Sequence, residues 1–327
     1  MNKILATSGD EITGRTGLLG RVRWRSLAIV LPFLVVFIAV SVGSPSFLKP
    51  VNLLNILDQQ SSILIIAAAG TIVLITGGID LSVGATYALS SVVAGTIAMT
   101  QPPIVAILAG LAVGALVGLV NGVVSTILKI NALIATLAMS FIALGVASLV
   151  TGGNLIVLYE HPEFGEIAKA KILGVQSAIW IAIIVVVVLG LILARTTLGR
   201  YWYAAGGNAE AARLAGIQVS WVRILAFVLS GLAAGLGGIL DTSRVLSAQA
   251  SAGTALTFTV LAGIVVGGTS ILGGEGAIWR TVIGVLFIAL IGNGFNLLGV
   301  DALFQQITLG LILLIAVGID AWSRVRR

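Results

Sequence analysis

The sequence predicts an all-α membrane protein, a bundle of about ten transmembrane helices. Of its 327 residues, 58% are hydrophobic and 9% are charged, and the mean hydropathy is +1.16. A soluble domain carries about 25% charged residues. This chain cannot cover itself with a polar surface, so the lipid bilayer must be its solvent. In that solvent the backbone satisfies itself only in helices or a closed barrel. Barrel strands alternate apolar and polar residues, whereas the apolar runs here are continuous. The 41 glycines suit helices that approach one another closely.

A span needs about 20 apolar residues. The runs that qualify are 27–43, 61–77, 83–100, 104–128, 132–151, 177–194, 222–240, 256–269, 277–298 and 302–319. Residues 1–26 form a polar N-terminal tail, 27–320 the transmembrane domain and 321–327 a C-terminal tail. No small-residue cleavage site follows the first run, which therefore reads as a retained anchor. Segment 256–269 is short and rich in Thr and Gly, either a full span or a broken helix held by its neighbours. The second and third runs are split only by "GIDLS", a second place for a discontinuous helix. Longer connections lie at 152–176, at 195–221 and at 241–255, which is polar and small.

Of the 18 lysines and arginines, all but Lys49, Lys169, Lys171 and Arg244 fall on the side of the two termini in a ten-span arrangement. The positive-inside rule then places both termini, and loop 195–221, in the cytoplasm. The net charge of +6 is spread over short loops and tails, which suits membrane topology and not nucleic-acid binding. Cysteine is absent, which excludes disulfides and thiolate chemistry. The single histidine, His161, excludes a histidine metal cluster. "NGVVSTILKINALIATL" from Asn121 and "NGFNLLGVDALFQQITL" from Asn293 echo one another in spans of opposite direction. Two halves related by inversion are a recurrent transporter plan.

The polar stretch "GGNAEAARLAGI", 206–217, stands out in so apolar a chain. Asn208 is a good N-cap, Glu210 suits the positive end of the helix dipole, and Gly216 is a natural stop. The helix Ala209–Ala215 is two turns long and marginal alone. Ala211, Leu214 and Ala215 share one face, so the helix either seeks a partner groove or is a solvated connection. Asp80, read as the only acid in the first five spans, is either an intramembrane functional group or, with Ser82, the cap of the helix starting near Val83. Asn121, Asn131, Asn293, Asn296, Gln305 and Gln306 are polar groups in or beside spans. They suit either a hydrogen-bonding translocation pathway or helix–helix contacts.

"EAARLAG" (210–216) matches the Glu-Ala-Ala-x-x-x-Gly core of the cytoplasmic loop of bacterial ABC importer permeases. "LITGGIDLSVGA" (74–85), "LGRYWYAAGGNAEAARLAGI" (198–217), "LSAQASAGTA" (246–255), "VVGGTSILGGEG" (265–276) and "NGFNLLGV" (293–300) extend the likeness from about residue 27 to the C-terminal end. The chain resembles the ribose-type sugar permeases. The resemblance implies a non-catalytic translocation subunit in the bacterial inner membrane. It also implies a homodimer with a second permease copy, a separate ABC ATPase carrying ATP and Mg, and a periplasmic sugar-binding protein. Gly207, Asn208, Glu210, Ala211, Ala212, Arg213, Leu214 and Gly216 then form the ATPase-coupling helix, and Asp80, Asn121, Asn131, Asn293, Asn296 and Gln305 are candidates for the pathway. No lysine follows a glycine, so this chain has no P-loop and needs no cofactor of its own. One departure from the family is Thr257, Phe258 and Thr259, where ribose-type permeases usually carry an acidic Glu-Leu-Asp stretch. A permease for a nucleoside or branched-chain amino acid remains the alternative, with an ion-coupled secondary transporter as a more distant one.

Overall fold

The computed structural model describes residues 29–325. The two tails expected at 1–26 and 321–327 lie wholly or partly outside them. Among the described residues the protein is all-α apart from two short antiparallel strand pairs. Every expected apolar run is helical: α1 (Val30–Gly43), α2 (Pro50–Ile75), α3 (Val83–Ala98), α4 (Pro103–Thr126), α5 (Ala132–Thr151), and then, after connecting structure, α7 (Ser177–Arg195), α10 (Val219–Val245), α11 (Leu256–Val266), α12 (Ile278–Leu297) and α13 (Ala302–Val325). Among the described residues, six of these helices are long and apolar enough to cross a membrane, and the other four hold apolar helical stretches of 10–17 residues. The connections hold β1 (Ile156–Val157), α6 (Pro162–Lys169), β2 (Lys171–Ile172), β3 (Val175–Gln176), α8 (Thr197–Gly207), α9 (Ala209–Leu214) and β4 (Ser247–Ala248).

Local chemistry sets the boundaries. Pro50 and Pro103 open α2 and α4, where a missing N–H costs nothing. Asn131 caps α5 by accepting from the Leu133 amide, and Gly152 ends it with φ +59°. Two expected limits were wrong. Helix α2 begins at Pro50 and not near 61, so Asp58 lies inside it and Asp80 is not the only acid of the first spans. Helix α10 continues to Val245, so Asp241–Arg244 are helical and not the start of a polar connection; Thr242 and Ser243 are buried. In both cases hydropathy broke off at charged residues whose charges are matched inside the bundle.

Helices α3 and α10 form the centre, α3 packing against α4, α5 and α10, and α10 against α2, α3 and α4. Nearly every residue of α3 is buried, so it meets protein on all sides and tolerates Thr86, Tyr87, Ser90 and Ser91. The α4–α10 crossing is built on glycine. Gly110, Gly114, Gly118 and Gly122 recur every four residues on one face of α4. A methyl at Gly114 would strike the Gly231 carbonyl, and one at Gly231 the Gly114 carbonyl. Such close approach is how membrane helices gain packing when lipid offers no hydrophobic contrast.

Helix α3 is roughly 24 Å long and α11 roughly 17 Å, both shorter than the roughly 30 Å hydrocarbon core. Each follows an irregular segment, 76–82 and 246–255, that enters the bundle from opposite ends. The segments meet where Gly84 packs on Gly253 and the Gly84 amide donates to Thr257 Oγ1 at 3.1 Å. From there α3 runs toward β4 and α11 toward the end of α2. The elements thus recur in one order: α2, break, α3, α4, α5, and then α10, break, α11, α12, α13.

Substituting Gly231→Val forces a side chain into the α4 backbone. Thermal melting in detergent should show a loss of about 3 kcal/mol, the upper end of overpacking costs. Gly145→Ala, where nothing lies within 4 Å, should melt like the parent protein.

Candidate functional site

The polar arm at 196–218 is anchored before it is exposed. Thr196 caps α8 through the Gly199 amide at 3.2 Å. Trp202 is fully buried and donates Nε1–H to the Val222 carbonyl at 2.9 Å. Tyr203 donates to the Gly276 carbonyl at 2.8 Å, and burial raises its phenol above the ordinary value against the pull of Arg280. Asn208 Oδ1 accepts from the amides of Glu210 (3.1 Å) and Ala211 (3.0 Å), capping α9 as the sequence predicts. At the other end Gly216 has φ +83°, its amide donates to the Arg213 carbonyl at 2.9 Å, and the Ile217 amide donates to the Ala212 carbonyl at 3.0 Å. This pair of bonds is a Schellman closure. Every turn of α9 is therefore capped, although the helix has six residues.

In α9, Ala212 is buried and Ala209 packs partly against the core. Ala211, Arg213, Leu214, Ala215 and Gly216 are exposed, Leu214 to 85%. Glu210 and Arg213 pair at 3.1 Å on the surface, a contact worth under about 1 kcal/mol. Gly207 is likewise exposed, with open space around it.

The arm is joined to the end of α2. A methyl at Gly206 would collide with the Ile75 carbonyl, which also accepts from the Gly274 amide at 2.8 Å. Arg223 donates from Nε to the Thr76 carbonyl (3.1 Å) and from a terminal nitrogen to the Ala205 carbonyl (3.2 Å). Its guanidinium thus holds the last turn of α2 and the last turn of α8 together.

Beyond Thr76 the chain turns at Gly77 (φ +80°) and enters the bundle. Asp80, 5% exposed, ties this break down. One carboxylate oxygen accepts from the Ser82 amide (3.0 Å) and hydroxyl (2.7 Å), and the other from Ser230 of α10 (2.8 Å). Asn121 of α4 donates to the Ser82 hydroxyl at 2.8 Å, and Thr136 of α5 accepts from the Leu81 amide at 3.0 Å. Asp80, Leu81 and Ser82 thus gather bonds from α4, α5 and α10 around the start of α3.

The other break borders two cavities. Strands β1 and β4 pair Ile156 with Ala248 and Val157 with Ser247. Beside them lie spaces of about 340 and 290 Å³ that share Leu155 and Gln249 as walls. Asp241 of α10 faces the smaller one. It accepts from Tyr87 at 2.7 Å, from Ser62 at 2.8 Å and from Arg244. Arg244 also donates to the Asp58 carbonyl at 2.7 Å and lies 4.0 Å from the Asp58 carboxylate.

The residues expected to line a pathway separate into pairs. Asp80 and Asn121 come together through Ser82. Asn131 is the cap of α5. Asn293 exchanges amide bonds with Asn52 of α2 at 3.0 and 3.1 Å, and Gln305 donates to Asn296 at 2.8 Å. None of these lines the two cavities. Sequence reasoning did not single out Tyr87, Asp241, Arg244 or Arg223 as a site. A signal was present: Asp241 and Arg244, three apart, are opposite charges one helical turn apart at the end of an apolar run.

The sequence comparisons agree with this architecture. Residues 52–317 match a family described as branched-chain amino acid transport system, permease component. The chain belongs to that permease family. It is an integral membrane protein and a relative of sugar ABC permeases, as its motifs indicate. It is 41% identical over 295 residues to the ribose import permease protein RbsC of Escherichia coli strain K12, covering 89% of this chain and 92% of that one. It is 42% identical over 294 residues to RbsC of Bacillus subtilis strain 168, covering 88% and 91%. It is 37% identical over 300 residues to the L-arabinose ABC transporter permease protein AraH of Azospirillum brasilense, covering 91% and 88%. No solved structure matches it significantly.

Replacing Asp80 by Ala orphans the Ser82 and Ser230 donors. Each buried orphan costs about 1–3 kcal/mol, so Asp80→Ala should lower stability by about 3 kcal/mol in detergent melts. Ser230→Ala should lower it by about 1 kcal/mol, the value of a single bond.

Proposed function

We propose that this chain is the translocation subunit of an ATP-driven ABC importer for a monosaccharide, a ribose-like pentose, a hexose or a related polyol. It lies in the bacterial inner membrane as ten spans with both termini in the cytoplasm. It works as a homodimer with two copies of a separate ATPase, which hold ATP and Mg, and with a periplasmic sugar-binding protein. The sugars named for the relatives support the solute class, and the family match supports the role of permease.

The observation that carries the coupling role is α9 itself. A six-residue helix has no stability of its own, yet both of its ends are capped and its base is locked to α2. What it presents to solvent is Leu214 on an alanine face. An amphipathic helix laid in a partner's groove is a recurring docking mode. Movement of the docked ATPase would reach the membrane through Gly206 and Arg223. From there it passes to Ile75, Thr76 and the break that Asp80 holds. The two sets α2–α5 and α10–α13 repeat one element order, and they serve as inverted halves that rock against each other around the meeting of α3 and α11.

Leu214→Asp should insert and melt normally, because the side chain is exposed, but should no longer co-purify with the ATPase. Gly216→Pro should also insert yet separate ATP hydrolysis from uptake, because it removes the 2.9 Å bond to Arg213 and cannot adopt φ +83°. Normal coupling in both variants would refute the role given to α9.

A further inference from the structure

We propose that the two cavities beside β1 and β4 form a single subsite for a neutral, polyhydroxylated ligand, with Asp241, Tyr87 and Gln249 as its hydrogen-bonding residues. This deepens the sugar-import reading and rests on it.

Position comes first. Asp241 is 22 residues along α10 from Val219, so it lies roughly 33 Å from the end that carries α9. The subsite is therefore at the end opposite the coupling helix, where an incoming solute is released to the membrane subunit. The β1–β4 pair, with the Leu158 amide donating to the Leu246 carbonyl at 2.8 Å, holds the two wall segments in register. The cavities, about 340 and 290 Å³, fall at the lower end of the roughly 300–1,000 Å³ typical of small-molecule sites. Next to the lining residues Ala252 and Thr254, Gly253 packs directly on Gly84 of α3.

The lining chemistry selects the ligand. Tyr87 spends its proton on Asp241, which leaves the phenol oxygen free to accept from a ligand hydroxyl. The Asp241 carboxylate has about four lone-pair directions and uses three, for Ser62, Tyr87 and Arg244. One acceptor direction is left. Gln249 borders both cavities and its side chain has no hydrogen-bond partner among the described residues, so its amide can both donate and accept. Ser148 and Ser251 add hydroxyls without side-chain partners to the larger space. These groups match hydroxyls, each of which both donates and accepts.

Charge excludes the competing class. None of the described lining residues is a lysine or arginine. The nearby cation, Arg244, is committed to Asp241 and Asp58. The ammonium of an amino acid could meet Asp241, but its carboxylate would find no lysine or arginine among the lining residues, and burying an unpaired charge is strongly unfavourable. A sugar brings no such charge.

The experiment uses the full transporter, this chain with its ATPase and binding protein, in proteoliposomes loaded with ATP. Initial uptake of radiolabelled D-ribose, L-arabinose and L-leucine is measured for the parent chain, Asp241→Asn and Gln249→Ala. Asp241→Asn keeps shape and volume, and Gln249→Ala removes no bond within the protein, so detergent melting should be unchanged for the latter. The parent should carry a pentose and not leucine. Both variants should lower pentose uptake by about tenfold, the worth of one lost hydrogen bond to the ligand, while ATP hydrolysis stimulated by the loaded binding protein persists. Parent-like pentose uptake in Gln249→Ala, together with parent-like uptake in Asp241→Asn, would overturn the subsite and leave the sugar reading standing. Leucine uptake by the parent chain, with no uptake of either pentose, would overturn the sugar reading itself.

Discussion

Inside a bilayer no water is available for a free backbone amide, so a break in a helix must be paid in hydrogen bonds from protein. This chain breaks twice, at 76–82 and at 246–255, and the rest of the structure is arranged to make those breaks tolerable. The first is held by the Asp80 carboxylate, which collects an amide and two hydroxyls from the start of α3 and from α10. Thr136 takes the Leu81 amide, and Arg223 takes the Thr76 carbonyl left open at the end of α2. The second is held by the β1–β4 pairing and by Thr257, which receives the Gly84 amide. Helices α4, α5 and α10 screen α3 from lipid, and the glycine face of α4 lets α10 come close enough to do so.

The same breaks link the two ends of the molecule. A continuous helix transmits force along its own axis; a broken one lets its two parts move separately. Here the junction of Gly206, Ile75 and Arg223 sits at one side of the first break. The cavities bordered by Asp241 and Gln249 sit beside the second. The second break touches the first turn of α3, which follows the first break, through Gly253 and Gly84, with no side chain between them.

Sequence alone conveyed the helices well and their polar contacts poorly. Lipid imposes long apolar runs, so each run became a helix. The Asn208 and Gly216 caps were legible because capping is a local affair of a few residues; Asn131 was read as a pathway candidate and is instead the cap of α5. Thr257 was legible only as a departure from its relatives; that it receives the Gly84 amide depends on the fold. The glycine spacing from Gly110 to Gly122 was visible, but not that it faces Gly231. Asp58 and Asp241 ended the expected spans early, because a hydropathy window counts a charge as exposed and cannot know that Arg244 lies beside it. The amide-bearing candidates behaved likewise. Asn293 and Asn52 are 241 residues apart, and nothing local in the sequence announces that they pair.

The central claim is that this subunit moves a solute only when an ATPase drives it. The direct measurement is pentose uptake into proteoliposomes that contain the purified chain either alone or assembled with its ATPase and binding protein. Uptake that requires the assembled complex and ATP on the ATPase side, and is absent for the chain alone under an imposed proton or sodium gradient, is the predicted result. Gradient-driven uptake by the chain alone would contradict the account.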